Sequence, residues 1–372
     1  VSGGRRWAGD LQLEVVGQGV SVDEVENLID MTIGFDAAGD IEGTFAKSGN
    51  IVVYEGVFSG DLDVYQANDL VGRAVISSDE VLLEDLTGTI NGASFLGAGR
   101  VDIRNPESVY FVLEGDVRDV DLAKGLIPGD EEMPRTDGVG RLRIEHTDFP
   151  EWTRVTGVLN DGFIEIMPFD TCLVDVVAVG ESVYFNRVEI MYAELHGMLE
   201  GVADTAGVFD GYVSINSEDI RTLPPDWHWP PTSGRLNGQG VVGGPLDALS
   251  FAGWVNLFEF GLGPLSAGSG EVALMVDDLL GEQMITAGVD GRRFAIGDVP
   301  FGDYSLWGTA STTAARVDSF RTELGDTNIF LSFQADYADP VNEIQVESFQ
   351  VDLEGTSWAV DDIVRFSVGR DH

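Results

Sequence analysis

Cysteine occurs once in 372 residues, at Cys172. A lone thiol excludes an intrachain disulfide and any zinc cluster built on paired cysteines, and its expected state is inert and buried. Histidine occurs four times, at His146, His196, His228 and His372, with no two at metal-ligand spacing. Lysine is almost missing: Lys47 and Lys124 are the only two, so the other 19 of the 21 basic residues are arginine. No run approaches the roughly 18 to 20 apolar residues of a membrane-spanning helix, and no secretory leader opens the chain. There is no G-x-S-x-G elbow and no Walker loop, so the common nucleophilic and phosphoryl-transfer sites are missing and no enzyme activity is expected. Neither a metal nor another cofactor is expected.

Acid is abundant. Asp and Glu number 64 against 21 Lys and Arg, for a formal net charge of -43. Such a surface repels phosphate backbones and anionic lipid surfaces, so nucleic acid is not an expected partner. The acids run through the whole chain and read as a solvated exterior. With carboxylates everywhere, a pair of them carries no information about glycoside chemistry. Acidic stretches such as Asp36-Ala-Ala-Gly-Asp40 offer hard oxygen ligands but lack the spacing of a calcium loop.

Apolar residues reach 44%, enough for a sizeable core. They alternate with polar ones from end to end: Val101 and Ile103; Phe111 and Leu113; Leu142 and Ile144; Ile164 and Ile166; Val255 and Leu257; Val272, Leu274 and Val276; Ile329, Leu331 and Phe333. Period-2 alternation marks strands with one buried face. Clusters such as Asn160-Asp161-Gly162 and Asp290-Gly291 read as hairpin turns, because Asn, Asp and Gly tolerate positive φ. The expected fold is all-β, with about 25 to 30 mostly antiparallel strands. At about 4.8 Å per strand they would extend on the order of 120 Å, as an elongated curved sheet folded into an apolar-lined trough.

A loose repeat, in which a Gly-punctuated hairpin precedes an alternating strand, supports an array. Thr87 to Gly92 leads to Gly99 to Ile103, Leu195 to Gly201 leads to Gly211 to Ile215, and Ser233 to Gly238 leads to Gly253 to Leu257. Helix is expected only over Ser21 to Ile29, where Ser21 and Glu24 fit a capping box, and as a short turn over Asp119 to Leu126. The stretch Leu223-Pro-Pro-Asp-Trp-His-Trp-Pro-Pro231 reads as a rigid seam. It separates a first groove section, 1–222, from a second, 232–372. Trp227, His228 and Trp229 could hold a sugar or a partner, but a Trp pair wedged against a sheet end is the commoner outcome. Gly238-Gln-Gly240-Val-Val-Gly243 spells the dinucleotide fingerprint, but Pro245 and the alternation after it deny the helix that motif needs.

The succession Gly60 to Val64, Leu83 to Ile90, Gly97 to Ile103 and Phe111 to Leu122, with Ile344 to Leu353 and Ser357 to Val360, resembles the AsmA-like and TamB-like bridge-type lipid transport proteins of the bacterial envelope. The resemblance covers most of the chain through degenerate patterns, without a catalytic signature. It implies a sheet folded lengthwise into a trough, a β-taco, that carries phospholipid between inner and outer membranes. It also implies a place in the periplasm, among envelope proteins of both membranes, and a role in outer-membrane biogenesis. The chain is then a piece of a longer protein, anchored to the inner membrane through a segment outside it. The alternating apolar residues named above are the expected lipid-binding groove, with phospholipid acyl chains as partners.

Three alternatives stand beside this. A surface β-solenoid, whether adhesin or carbohydrate-active module, calls for a regular repeat of about 20 to 30 residues, and the repeats here are uneven. An outer-membrane barrel needs uncharged lipid-facing strands of about 10 residues with aromatic girdles. A structural envelope scaffold would pack the same residues into a closed core.

Overall fold

The computed structural model describes residues 11–29, 37–62, 65–105, 108, 110–120, 136–148, 150–164, 167–223, 232–245, 248–279, 283–336, 341–360 and 362–369. The chain is all-β. Among the described residues there are 23 strands, one α-helix of eight residues and one short 3-10 turn, Ile220–Thr222. Contacts divide the chain into two compact units, Val1–Glu189 and Ile190–His372. The expected Pro-rich seam falls inside the second unit, and its residues 224–231, with Trp227, His228 and Trp229, lie outside the described residues. So do most of the turn expected at Asp119 to Leu126, and Asp36.

In the first unit, β1 (Leu11–Ser21) leads through α1 (Val22–Ile29) to a meander. It comprises β2 (Ala37–Ser48), β3 (Ile51–Leu62), β4 (Tyr65–Ile76), β5 (Glu80–Ile90), β6 (Ala93–Asp102), β7 (Tyr110–Arg118), β8 (Thr136–Asp148), β9 (Glu151–Ile164) and β10 (Met167–Val179). Each strand from β1 to β10 pairs antiparallel with the next. The unit boundary falls within β11 (Ser182–Tyr192). The capping box forms as expected: Ser21 N–H donates to Glu24 Oε2 at 3.2 Å, and Glu24 N–H to Ser21 Oγ at 3.4 Å.

The second unit repeats the meander with β12 (Leu195–Asp204), β13 (Val208–Ser217), β14 (Thr232–Pro245), β15 (Ser250–Leu262), β16 (Leu265–Asp277) and β17 (Met284–Ile296). It continues through β18 (Val299–Ala310), β19 (Ala314–Leu324), β20 (Thr327–Asp336) and β21 (Val341–Leu353). Neighbours in sequence are again antiparallel partners. The far side of β21 is shared by β22 (Thr356–Val360), along Phe349–Leu353, and β23 (Val364–Gly369), along Val341–Val346.

Several expected turns are strand interiors. Asn160-Asp161-Gly162 lies inside β9, Asp290-Gly291 inside β17, Leu195 to Gly201 inside β12 and Ser233 to Gly238 inside β14. The strands are therefore longer than the turn signals implied. Asp69, Asp85, Asp161, Glu259 and Arg293 take positive φ in mid-strand, and register shifts fall beside several of them. These are bulges, which absorb an extra residue and bend the strand without ending it.

Glycine does the rest of the bending. Gly43, Gly56 and Gly72 are direct neighbours across β2, β3 and β4, and Gly97 faces Gly115 across β6 and β7. A Cβ added at Gly56 would stand 2.3 Å from the Glu42 carbonyl oxygen, and one at Gly97 2.3 Å from that of Glu114. Backbones this close admit no side chain, so the strands fold inward along a line of glycines. An aromatic ring two residues earlier lies over each pair: Tyr54 over Gly43 and Gly56, Phe95 over Gly97 and Gly115. The second unit uses the same device, with Phe209 over Gly201 and Gly211, and Phe251 over Gly240 and Gly253. Within Gly238-Gln-Gly240-Val-Val-Gly243 only Gly240 lies under a Phe ring, that of Phe251; the stretch sits inside β14, and the next described element is β15.

The other face carries the charge. Arg73 bridges Glu55, at 3.1 Å, and Glu84 across β3, β4 and β5. Glu114 takes Arg141 at 2.8 Å and Arg143 at 3.4 Å, and Arg154 meets Asp175 at 2.9 Å. Partly exposed pairs of this kind fix cross-strand neighbours but add at most about 1 kcal/mol each.

Candidate functional site

Directly opposed residues in an antiparallel ladder share a face, so register alone traces what each inner face carries. In the first unit one row runs Ala74, Leu83, Gly99, Leu113, Ile144, Val155, Val176 from β4 to β10. Val101 faces Phe111, and Leu142 faces Gly115, on the same side. In the second unit three rows run from β15 to β21. They are Gly253, Leu274, Ala287, Gly308, Val317, Phe333, Val346; Val255, Val272, Val289, Leu306, Phe320, Leu331, Phe349; and Leu257, Gly270, Gly291, Tyr304, Thr322, Ile329, Val351. None of these positions is charged. Val276 joins the same face opposite Phe251 and Ile285.

The expected groove residues therefore share an inner face within each unit. Ile103 lies just past β6, where its N–H donates to the Asp79 carbonyl at 3.0 Å. Ile164 ends β9, half-buried, and Ile166 is outside the described residues. Depth differs between the units. Val101, Ile103, Phe111 and Leu142 are buried, and Val52, Cys172, Leu159 and Val176 are at most 2% exposed. In the second unit Val255, Leu257, Val272, Leu274, Ile329, Leu331 and Phe333 are half-buried, as Leu113 and Ile144 are in the first, and of the expected groove residues there only Val276 is buried.

The first unit holds a partly open apolar pocket of about 230 Å³. Val20, Val25 of α1, Phe45, Phe58, Leu86 and Phe111 are among the side chains that line it. Tyr54 lines it too; its hydroxyl donates to the Val57 carbonyl at 2.8 Å, and burial raises its pKa. His146 stands at the edge of the inner face, with Nδ1 2.8 Å from Thr153 Oγ1 and its ring 5.1 Å from Phe111. Burial pushes the Cys172 thiol up to about 11, so the thiolate that would do chemistry is suppressed.

Most shifted carboxylates belong to ion pairs; Asp352 is instead lowered by hydrogen bonds from Ser357 and Gln350. Arg104 holds Asp102 at about 2, and Arg143 with Tyr110 lowers Glu145. Among the described residues no group of three or more His, Cys, Asp or Glu could hold a metal ion, and no helix is long and apolar enough to cross a membrane. The residues that alternation alone did not find are the floor-covering rings Tyr54, Phe95, Phe209 and Phe251. Their signal was present as an aromatic residue two positions before a glycine that faces another glycine.

No protein-family model matches the chain, and no curated protein or solved structure matches it either.

Proposed function

We propose that this chain is a non-enzymatic lipid conduit of the bacterial periplasm, holding phospholipid acyl chains against its inner faces as they pass between inner and outer membranes. Anchoring to the inner membrane comes from a segment outside this chain, and envelope proteins of either membrane are its expected neighbours. The observation that carries this is the inner face of the second unit, three uncharged rows across seven strands in which every apolar side chain but Val317 is only half-buried. Half-exposed Val, Leu and Phe in continuous rows gain roughly 0.8 kcal/mol for each methylene an acyl chain buries against them. No nucleophile or metal is required, because lipid moves by diffusion along a face without charge.

The test is native mass spectrometry with lipid extraction on the purified chain, prepared without detergent. Phospholipid should copurify, and Leu274→Asp with Val289→Asp should remove it while circular dichroism stays unchanged. A folded, lipid-free wild-type chain refutes the proposal. It would favour the scaffold with a closed core, which the deep burial of Val52, Leu159 and Val176 in the first unit supports.

A further inference from the structure

The outer faces of the two units differ in charge. In the first, Arg73 answers Glu55 and Glu84, Arg141 and Arg143 answer Glu114, and Arg154 answers Asp175. The second carries a strip without charge. Register sets one row of it from β13 to β18, Tyr212, Val241, Ala252, Met275, Thr286, Thr309, and a second from β14 to β18, Gln239, Trp254, Ala273, Gly288, Trp307. Val241 is 55% exposed, Met275 48% and Trp307 51%. In a chain of net charge -43, adjacent uncharged rows with exposed Val, Met and Trp mark an interaction surface. The strip is also held in place: the Tyr212 hydroxyl bonds Gln239 Oε1 across the rows, and the Trp307 ring lies over Gly288, where an added Cβ would stand 2.7 Å from it.

The borders of the strip are acidic. Asp210 and Asp277 lie on the row to one side and Glu271 and Asp290 on the row to the other, all exposed. Among the described residues none of the four has an ion-pair partner. Glu271 faces Asp290 directly, a like-charge pair that destabilises the isolated sheet and that a bound cation would relieve. Arg235 and Arg292 stand one row further out, Arg235 against the Phe258 ring, and Arg293 lies over Gly268. Arg316, at the β19 end, is held by Asp318 and Glu347. Six strands at about 4.8 Å make the strip about 24 Å long, and two rows of alternate residues make it about 7 Å wide. That is the footprint of one apolar helix stripe of about 16 residues, too narrow for a membrane surface. A second copy of the chain would bring the same carboxylates and the same net charge to the contact.

We infer that this strip docks an amphipathic helix of a partner protein, whose apolar stripe covers Val241, Met275 and Trp307 and whose flanking Lys or Arg meet Asp210, Asp277, Glu271 and Asp290. The docking surface lies on the opposite side of the strands from the face that holds lipid, so both can be occupied at once.

The probe is a fluorescent peptide of about 16 residues with Leu at helical spacing and Lys on both flanks, added to the whole chain at about 0.15 M salt and read by anisotropy. Val241→Ser with Met275→Ser should weaken binding about tenfold or more. Asp210→Asn, Glu271→Gln, Asp277→Asn and Asp290→Asn together should do the same. Four neutralisations of exposed carboxylates in the first unit, Asp69→Asn, Asp85→Asn, Asp116→Asn and Asp161→Asn, should change it less than about twofold. Val289→Asp, on the inner face, should leave it unchanged. Equal weakening by both sets of neutralisations would report diffuse attraction to the net charge and overturn the inference, as would a wild type that binds no peptide. Loss of the peptide in Val289→Asp would place it in the lipid face, again against the inference. A wild-type dimer in sedimentation that Val241→Ser with Met275→Ser dissolves, or flotation with phosphatidylcholine vesicles that the same variant abolishes, would assign the strip to a second copy or to a membrane and overturn it too.

Discussion

The two units are built from the same parts and end with different interiors. Both are antiparallel meanders with apolar inner rows, mid-strand bulges and aromatic rings laid over glycine pairs. In the first, many inner side chains, Val52, Leu159 and Val176 among them, are buried, while Ala74, Leu83 and Leu113 are half-buried and line a partly open apolar pocket of about 230 Å³. In the second, the equivalent rows are half-buried along most of their length, with Val317 and Thr322 the buried side chains in them. Alternation sets which face is apolar; how far that face closes depends on how sharply the strands bend. The glycine line through Gly43, Gly56 and Gly72 spans three consecutive strands of the first unit. The first unit gathers more fully buried apolar side chains than the second.

The largest contrast should come from the same substitution made in each interior. Leu159→Asp puts a carboxylate at a position 1% exposed, with no cation opposite it, and should cost more than about 5 kcal/mol and unfold the first unit. Val289→Asp lies on the half-exposed face and should cost about 1 to 2 kcal/mol, the second unit staying folded while its lipid is lost. Hydrogen exchange read peptide by peptide separates the two units. Equal loss of protection from both substitutions would show that the second interior is as closed as the first.

A smaller contrast tests the bending itself. At Gly56 an added Cβ meets the Glu42 carbonyl at 2.3 Å and the Tyr54 hydroxyl at 2.6 Å, so Gly56→Ala must unbend the strand and should cost about 2 to 4 kcal/mol. At Gly197 in β12 the nearest atom is the Ser214 carbonyl oxygen, 4.0 Å away. Gly197→Ala should therefore stabilise by about 0.4 to 1 kcal/mol, through a stiffer unfolded chain. Urea titration of the two variants gives both numbers, and a neutral Gly56→Ala would remove the glycine line as the cause of closure.

Much of the fold was legible because period 2 is a strong signal: the pairs Val101 and Ile103, Val272 and Leu274, and Leu331 and Phe333 each land on one inner face. Strand length is less legible: Asn160-Asp161-Gly162 and Asp290-Gly291 read as turns but lie inside β9 and β17. Positive φ serves a bulge as readily as a hairpin, and composition does not separate the two. The groove was legible as a face but not as a depth, since burial depends on contacts between the two halves of bent strands. The rings of Tyr54, Phe95, Phe209 and Phe251 went unrecognised because their partners are glycines on another strand, visible only once register is known.

The smallest effect offers the sharpest reporter of closure in the first unit. Cys172 is fully buried there, and the described residues of the second unit contain no thiol. Burial moves the thiol from 9.0 to about 11, so the fold favours the protonated form. An unfolded chain loses that proton as pH rises past 9 while the folded chain keeps it, so stability falls across pH 9 to 11. This contribution cannot exceed about 1.4 kcal/mol per pH unit, and Cys172→Val should remove it from the difference between the two stability–pH curves. At neutral pH a thiol reagent should label Cys172 only as fast as the first unit opens, and at the same rate in Val289→Asp as in the wild type. Faster labelling in that variant would couple the two interiors, and labelling of the native wild-type chain within seconds would mean that the first interior is open as well.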